Sequence, residues 1–338
     1  MKNKTNKKKI LMIATGGTIA SRPSELGMAP DMTGAQILET VPEISASFNV
    51  DTIELMNLDS TNVCPDDWQR MANCIAEHYE DYDGFVITHG TDTMAYTAGA
   101  LTYLIQNIGK SVVLTGAQQS IFYQNTDART NLMDAFRYAA DDLSHGVTLV
   151  FDGKVIAGAR ARKMRTKSFN AFESIDYPAL AVLINGKIFH YIVEPMPIGN
   201  PVFYSKLNDR VVALKLIPGM NADVILYLKA HYDALVIESF GVGGLPSYGD
   251  EDFLRAIDSW SQDGKIVVMT TQVPFEGSDM SVYAVGGKVV SRDIIEAYTM
   301  TLESVVTKLM WILAQTKNPN TARTLFYIPV AHDLLAFT

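Results

Sequence analysis

The chain has 338 residues, 48% of them hydrophobic, with 28 Lys and Arg against 37 Asp and Glu for a formal net charge of −9. That length suits two domains with cores of their own, and the acidic balance supplies no positive field to draw in nucleic acid or an anionic membrane. Two cysteines, Cys64 and Cys74, are too few for a disulfide framework and read as reduced thiols of a cytoplasmic protein.

The N-terminal MKNKTNKKK reads as a solvated basic tail. The apolar run after it, Ile10–Ala14, is cut short by Thr-Gly-Gly, whereas a signal h-region needs roughly 7–15 apolar residues. No apolar run approaches the ~20 residues of a transmembrane helix. Strands are predicted in turn at Lys9–Ala14, Phe85–Thr88, Ser111–Thr115, Val147–Phe151, Val211–Ile217, Ala234–Ser239 and Lys265–Thr270. Between them, Asp66–Glu80 follows Pro65 and sets Trp68, Met71, Ile75 and Tyr79 at near-helical spacing. Met94–Ile108 repeats the period with Leu101, Leu104, Ile105 and Ile108, and Asn131–Ala140 with Leu132, Ala135, Phe136 and Ala139. Strands that are apolar throughout, joined by such helices, imply parallel pairing covered on both faces, an α/β fold. Residues 185–208 break the rhythm with Gly186, Pro195, Pro197, Gly199 and Pro201. They are expected to link an N-terminal α/β domain, 1–184, to a smaller C-terminal α/β domain, 209–338.

Ligands of open parallel sheets bind beyond the carboxyl ends of the strands, so the residues after each strand carry the chemistry. Those residues are Thr15-Gly16-Gly17-Thr18, His89-Gly90-Thr91-Asp92-Thr93 and Thr115-Gly116-Ala117-Gln118, and a further N-domain stretch of the same kind is Leu58-Asp59-Ser60-Thr61-Asn62. Glycines let backbone N–H groups approach a ligand, and hydroxyls offer nucleophiles or donors. A threonine nucleophile needs a partner for its proton. Asp92 adjoins Thr91, and a lysine from the basic segment Arg160–Lys167, partly desolvated beside Thr91, could shuttle one. Taken alone, that segment reads as a solvated face or an anion-binding loop. The six histidines show no metal-ligand spacing, and His89 reads as structural. G-x-G-x-x-G, Walker A and G-x-S-x-G patterns are all missing, so no metal, nucleotide or other cofactor is implied.

TGGTIA and HGTDTMAYTA together strongly resemble the bacterial-type L-asparaginases, most closely the cytoplasmic type I group. LMNLDSTN, VVLTGAQ, ARKMRTKSFNAFESIDYP, IESFGVGGLP and TKLMWILAQTKN extend the likeness over essentially the whole chain. The resemblance implies hydrolysis of L-asparagine to L-aspartate and ammonia without a cofactor. It also implies a larger N-terminal and a smaller C-terminal α/β domain, assembled as a homodimer or homotetramer. Carried over by motif, Thr18 is the nucleophile that forms a β-aspartyl ester. Thr91, Asp92 and Lys163 form the second catalytic group, in which Lys163 promotes proton transfer through Thr91 and Thr91 helps position the water. Ser60 and Thr61 hold the substrate α-carboxylate, and Asp92 pairs with its α-ammonium. One departure is expected to matter: many members carry a tyrosine in the loop after TGGTIA, where this chain has Met28, and a thioether passes no proton. The rival expectations are a glutamine-directed amidase or amidotransferase subunit, which carries an extra N-terminal domain, and a catalytically silent amino-acid-binding module.

Overall fold

The structure, a computed structural model, describes residues 7–24, 27–30, 32–282 and 294–335. The chain divides into two compact units, Met1–Ser205 and Lys206–Thr338. Among the described residues no helix is long and apolar enough to cross a membrane.

The first unit is built on eight strands: β1 (Lys9–Gly16), β2 (Asn49–Leu58), β3 (Gly84–Thr88), β4 (Ser111–Thr115), β5 (Gly146–Phe151), β6 (Lys154–Ala157), β7 (Ala181–Ile184) and β8 (Lys187–His190). They lie in the order β8-β7-β6-β5-β4-β3-β1-β2. Strands β2, β1, β3, β4 and β5 are mutually parallel, and β6, β7 and β8 extend the sheet antiparallel. Strands β3 and β4 are buried at every position, and β1 at all but Lys9, so side chains alternating across the pleat all meet apolar neighbours. Ile10, Met12, Val86, Val113 and Val150 share one core with Leu132, Ala135 and Phe136 of a helix at Ala128–Ala139. Leu11, Ile13, Phe85 and Ile87 are buried on the other face.

Helices form where the apolar period predicts them, with shifted ends. Pro65–Glu77 starts on its proline with Asp66 and Asp67 in the first turn, where acids suit the helix dipole. Met94–Leu104 stops short of Ile108 because Ile105–Gln106 turns extended and pairs with Val202–Phe203. Residues 185–208, expected to be connecting sequence, thus carry that partner strand as well as β8. Two hairpins close the antiparallel edge through two-residue turns with both φ values positive, Asp152-Gly153 (51°, 70°) and Asn185-Gly186 (51°, 74°). Asp-Gly and Asn-Gly are the pairs that tolerate this conformation.

The second unit has a four-stranded parallel sheet, β9 (Val211–Lys215), β10 (Ala234–Ser239), β11 (Ile266–Thr271) and β12 (Ile295–Glu296), in that order. Leu235, Ile237, Val267 and Met269 pack with Phe253, Ile257 and Trp260, whose indole N–H donates to the Ile225 carbonyl at 3.0 Å. Lys308, on the helix Leu302–Gln315, is fully buried against fully buried Asp333, Nζ to Oδ2 2.6 Å. Nζ also donates to the Ile328 carbonyl, and Asp333 Oδ1 accepts from the Val330 N–H. Both charges therefore keep several hydrogen bonds after leaving water, the condition under which a buried pair persists.

Candidate active site

The order β2-β1-β3-β4-β5 reverses direction between β1 and β3, and in such sheets the crevice at that switch receives the ligand. Register sets the tips level: Ala14 lies beside Thr88, Thr88 beside Thr115, and Gly16 beside Leu58. The buried threonines at these ends do sheet work. Thr15 Oγ1 donates to the Thr88 carbonyl at 2.8 Å and Thr115 Oγ1 to the Val150 carbonyl at 2.8 Å. Chemistry is left to the residues just beyond.

Gly16 and Gly17 take φ values of 97° and 82°, which turn the chain into a single 3-10 turn, Thr18–Ala20. Space as well as conformation requires the second glycine: a β-carbon on Gly17 would lie 2.4 Å from the Gly90 nitrogen. Gly90 is closed in from the other side by Ser60, since a β-carbon there would fall 2.6 Å from Ser60 Cβ and Oγ. Three loops thus meet, Gly17 against the Gly90 backbone and Gly90 against the Ser60 side chain. Ser21 Oγ donates to the Gly17 carbonyl, and Ser120 Oγ donates to the Ser21 carbonyl at 2.5 Å. Asp59 Oδ1 accepts from both the N–H and the hydroxyl of Thr61, and Thr93 Oγ1 donates to the Ser60 carbonyl.

A cleft of about 100 Å³ opens among these loops, lined by Gly17, Thr18, Ser21, Asp59, Ser60, Gly90 and Asp92. Thr18 is half-buried and Ser60 buried. Thr91 is buried behind the cleft. Lys163 joins it to Asp92: Nζ donates to Thr91 Oγ1 at 2.8 Å and to Asp92 Oδ1 at 2.6 Å. The structure therefore sets Thr18, Ser60 and Asp92 on one cleft, with Thr91 and Lys163 bonded to its Asp92 side. Thr61 is exposed and turned onto Asp59. Met28 sits opposite Pro23 in the hairpin Ser21–Ser24 with Gly27–Pro30; its side chain lies outside the described residues.

Solvation of the whole segment Arg160–Lys167 is not what the structure holds. Arg160 is completely buried over the Tyr177 ring, and Lys163 ends a short strand, Ala161–Lys163, paired with Phe172–Ser174. A 3-10 turn, Gly158–Arg160, and the short strand after it take these two cations out of solvent, which composition alone does not disclose. His89 is buried between the Gly90 carbonyl, 2.7 Å from Nδ1, and Thr97 Oγ1, 3.0 Å from Nε2. Because the Trp68 indole N–H donates to Thr97 Oγ1, the Thr97 proton is free for Nε2, and the ring proton belongs on Nδ1, donated to Gly90. Burial pushes the imidazole down to about 4 against the opposing pull of that carbonyl. His89 is a neutral brace for the Gly90 loop.

Asp59, Ser21 and Gln118 also join the site, beyond the residues that the motifs point to. Asp59 and Gln118 lie inside the conspicuous stretches LDSTN and TGAQ, yet an acid beside two hydroxyl residues and an amide after alanine carry no separate signal. Two carboxylates, Asp59 and Asp92, face one small cleft and Lys163 balances one of them, which suits a ligand that brings a cation. A half-buried alcohol beside an ammonium–alcohol–carboxylate chain suits acyl transfer.

Comparison with known proteins bears on the same loops. Residues 9–195 match the family model described as Asparaginase, N-terminal, and residues 210–326 match that of the Glutaminase/Asparaginase C-terminal domain. The L-asparaginase of Thermococcus kodakarensis is 35% identical over 327 residues, 96% of this chain and 99% of that one. L-asparaginase 1 of Escherichia coli is 35% identical over 94% of this chain and 95% of its own. The solved structure of the thermostable T. kodakarensis enzyme superposes with a TM-score of 0.91 at 34% identity, covering 97% of this chain and 100% of that chain. A glutamyl-tRNA(Gln) amidotransferase component from Pyrococcus abyssi is 32% identical over 97% of this chain and 77% of its own.

Proposed function

Because the chain belongs to the asparaginase family, we propose that it is an amidohydrolase that converts L-asparagine to L-aspartate and ammonia through an ester on Thr18. The observation that supports this reading most is the meeting of Thr18 and Asp92 on one cleft, with Lys163 bonding both Asp92 and Thr91.

Asp92 pairs with the substrate α-ammonium, while Ser60 holds its α-carboxylate; Thr61, expected to share that task, gives its N–H and hydroxyl to Asp59 instead. Two charged anchors at one end fix where the side-chain amide lies, and orientation of that kind lowers a barrier by several kcal/mol, up to roughly 7–11 in well-aligned systems. Thr18 Oγ1 attacks the amide carbon, its proton ends on the departing nitrogen, and ammonia leaves behind a β-aspartyl ester. Backbone N–H groups of the glycine loops stabilise the oxyanion, each worth roughly 3 kcal/mol. Water, held by Thr91, then attacks the ester, with Lys163 promoting the proton transfer, and Thr18 regains its proton as aspartate departs. Met28 takes no part in these transfers; water or another group carries the Thr18 proton.

A second reading, glutamine-directed amide hydrolysis, is favoured by the amidotransferase relative. The two substrates differ by one methylene, a difference worth ~1–3 kcal/mol in an apolar pocket. Two free cysteines, Cys64 and Cys74, suit a reducing compartment, and we assign the enzyme to the cytoplasm as a homodimer or homotetramer. Ammonia release from asparagine and from glutamine, by the wild type and by Thr18→Ala, tests the reading. Turnover on asparagine that vanishes in Thr18→Ala supports it, a preference for glutamine favours the second reading, and binding without any turnover overturns both.

A further inference from the structure

Gln118 stands directly behind the Thr91 hydroxyl. Its backbone is held from the rear: the N–H groups of Gln118 and Gln119 donate to the two oxygens of Asp127 at 2.9 and 3.0 Å. Asn131 completes that support by donating to Asp127 and to the Gly116 carbonyl. The side chain reaches forward between two partners. Nε2 lies 3.1 Å from the Ser168 carbonyl and 3.5 Å from that of Arg165, and Oε1 lies 3.1 Å from Thr91 Oγ1.

Donor chemistry fixes the direction of every proton in this chain. Backbone carbonyls only accept, so the amide NH2 faces Ser168 and Arg165 and the amide oxygen faces Thr91. That oxygen only accepts, so the single Thr91 hydroxyl proton points at Gln118. The Lys163 ammonium only donates, so it occupies one lone pair of the same hydroxyl. One lone pair of Thr91 remains unassigned. We propose that Gln118 is a positioning residue that turns the Thr91 proton away from the reaction, so that Thr91 meets the ester-cleaving water as a hydrogen-bond acceptor. The proposal rests on the reading that Thr91 serves amide hydrolysis. Without Gln118 the hydroxyl is free to rotate and to present its proton where the water needs an acceptor.

Two near-isosteric variants separate this role from a simple tie between loops. Gln118→Met removes both the acceptor and the donors. Gln118→Glu keeps an acceptor for Thr91, loses the donors to Ser168 and Arg165, and brings a negative charge near Lys163. Kinetics on asparagine and thermal melts are measured for both beside the wild type. Gln118→Met is expected to lower kcat about tenfold with KM within about twofold, the consequence of one lost alignment hydrogen bond. Gln118→Glu, which keeps the acceptor, is expected to recover most of kcat. Equal losses of kcat in both variants, or wild-type kcat in both whatever the melts show, overturn the proposal. A wild type that releases no ammonia from either amide removes the underlying reading instead.

Discussion

Replacing Gly90 by alanine tests the close approach of Gly90 to Ser60 at the cleft. The new methyl would arrive 2.6 Å from Ser60 Cβ and Oγ, whereas ordinary contact begins near 3.4 Å, so the loops must part by about 0.8 Å. On its other side Gly90 packs against the glycine Gly17, whose added β-carbon would stand 2.4 Å from the Gly90 nitrogen. The displacement falls on Ser60, a ligand of the substrate α-carboxylate in the proposed reaction. Misplacement of about 1 Å costs on the order of 10²-fold in rate, and overpacking adds about 1–3 kcal/mol of destabilisation. Gly90→Ala is therefore expected to lose about two decades of kcat/KM in an ammonia-release assay and to melt earlier than the wild type. The double variant Gly90→Ala with Ser60→Gly, which clears the methyl, is expected to melt nearer the wild type. A Gly90→Ala enzyme with wild-type kcat/KM would refute the claim that these loops have no room to give.

Lys163→Met removes the charge bonded to Thr91 and Asp92 and is expected to lower kcat by 10²-fold or more, the scale of a lost acid–base group, with an unchanged circular dichroism spectrum. His89 is neutral and buried, with a folded value of about 4 against 6.5 for a free imidazole, so the unfolded chain binds its proton first. Its contribution is complete above pH 6.5 and is lost as pH falls toward 4, about 3 kcal/mol in all at 1.36 kcal/mol per unit. Urea titrations at pH 7 and pH 4.5 should show that loss, and His89→Gln should lack that share of it. Asp333→Asn strands the Lys308 ammonium in the core and is expected to cost about 3–5 kcal/mol, whereas Lys308→Met with Asp333→Leu recovers most of it in the same titration.

Much of the fold is legible in the sequence because the central strands carry one unmixed signal. Ile10–Ala14, Phe85–Ile87 and Val112–Leu114 are apolar throughout because both faces of each strand are covered. Strand β2 is illegible for the opposite reason. It lies at the sheet edge with most positions at least partly exposed, and Asp51, Thr52, Glu54 and Asn57 dilute the pattern. Strands β6, β7 and β8 are only four residues each, too short for periodicity. Their signal sits in the turns, FDGK and INGK, where Asp-Gly and Asn-Gly mark a hairpin. At the site, the loops TGGT and HGTDT are readable from their position after strands, but the partner of Thr91 is not. Lys163 shares its segment with Arg160, Arg162, Arg165 and Lys167, and only its three-dimensional contacts with Thr91 and Asp92 single it out. Gln118 is quieter still, since its meaning lies in two carbonyls that approach from residues 165 and 168.

The strand order also bears on when this enzyme becomes an enzyme. Lys163 reaches Asp92 and Thr91 across 71 and 72 residues of chain, and closures of that length come late because their entropy is lost before any contact compensates. Helices and local hairpins form during refolding well ahead of the ammonium that completes the pocket. Recovery of turnover, read as a clock, will trail recovery of helicity and mark the moment the first unit is whole.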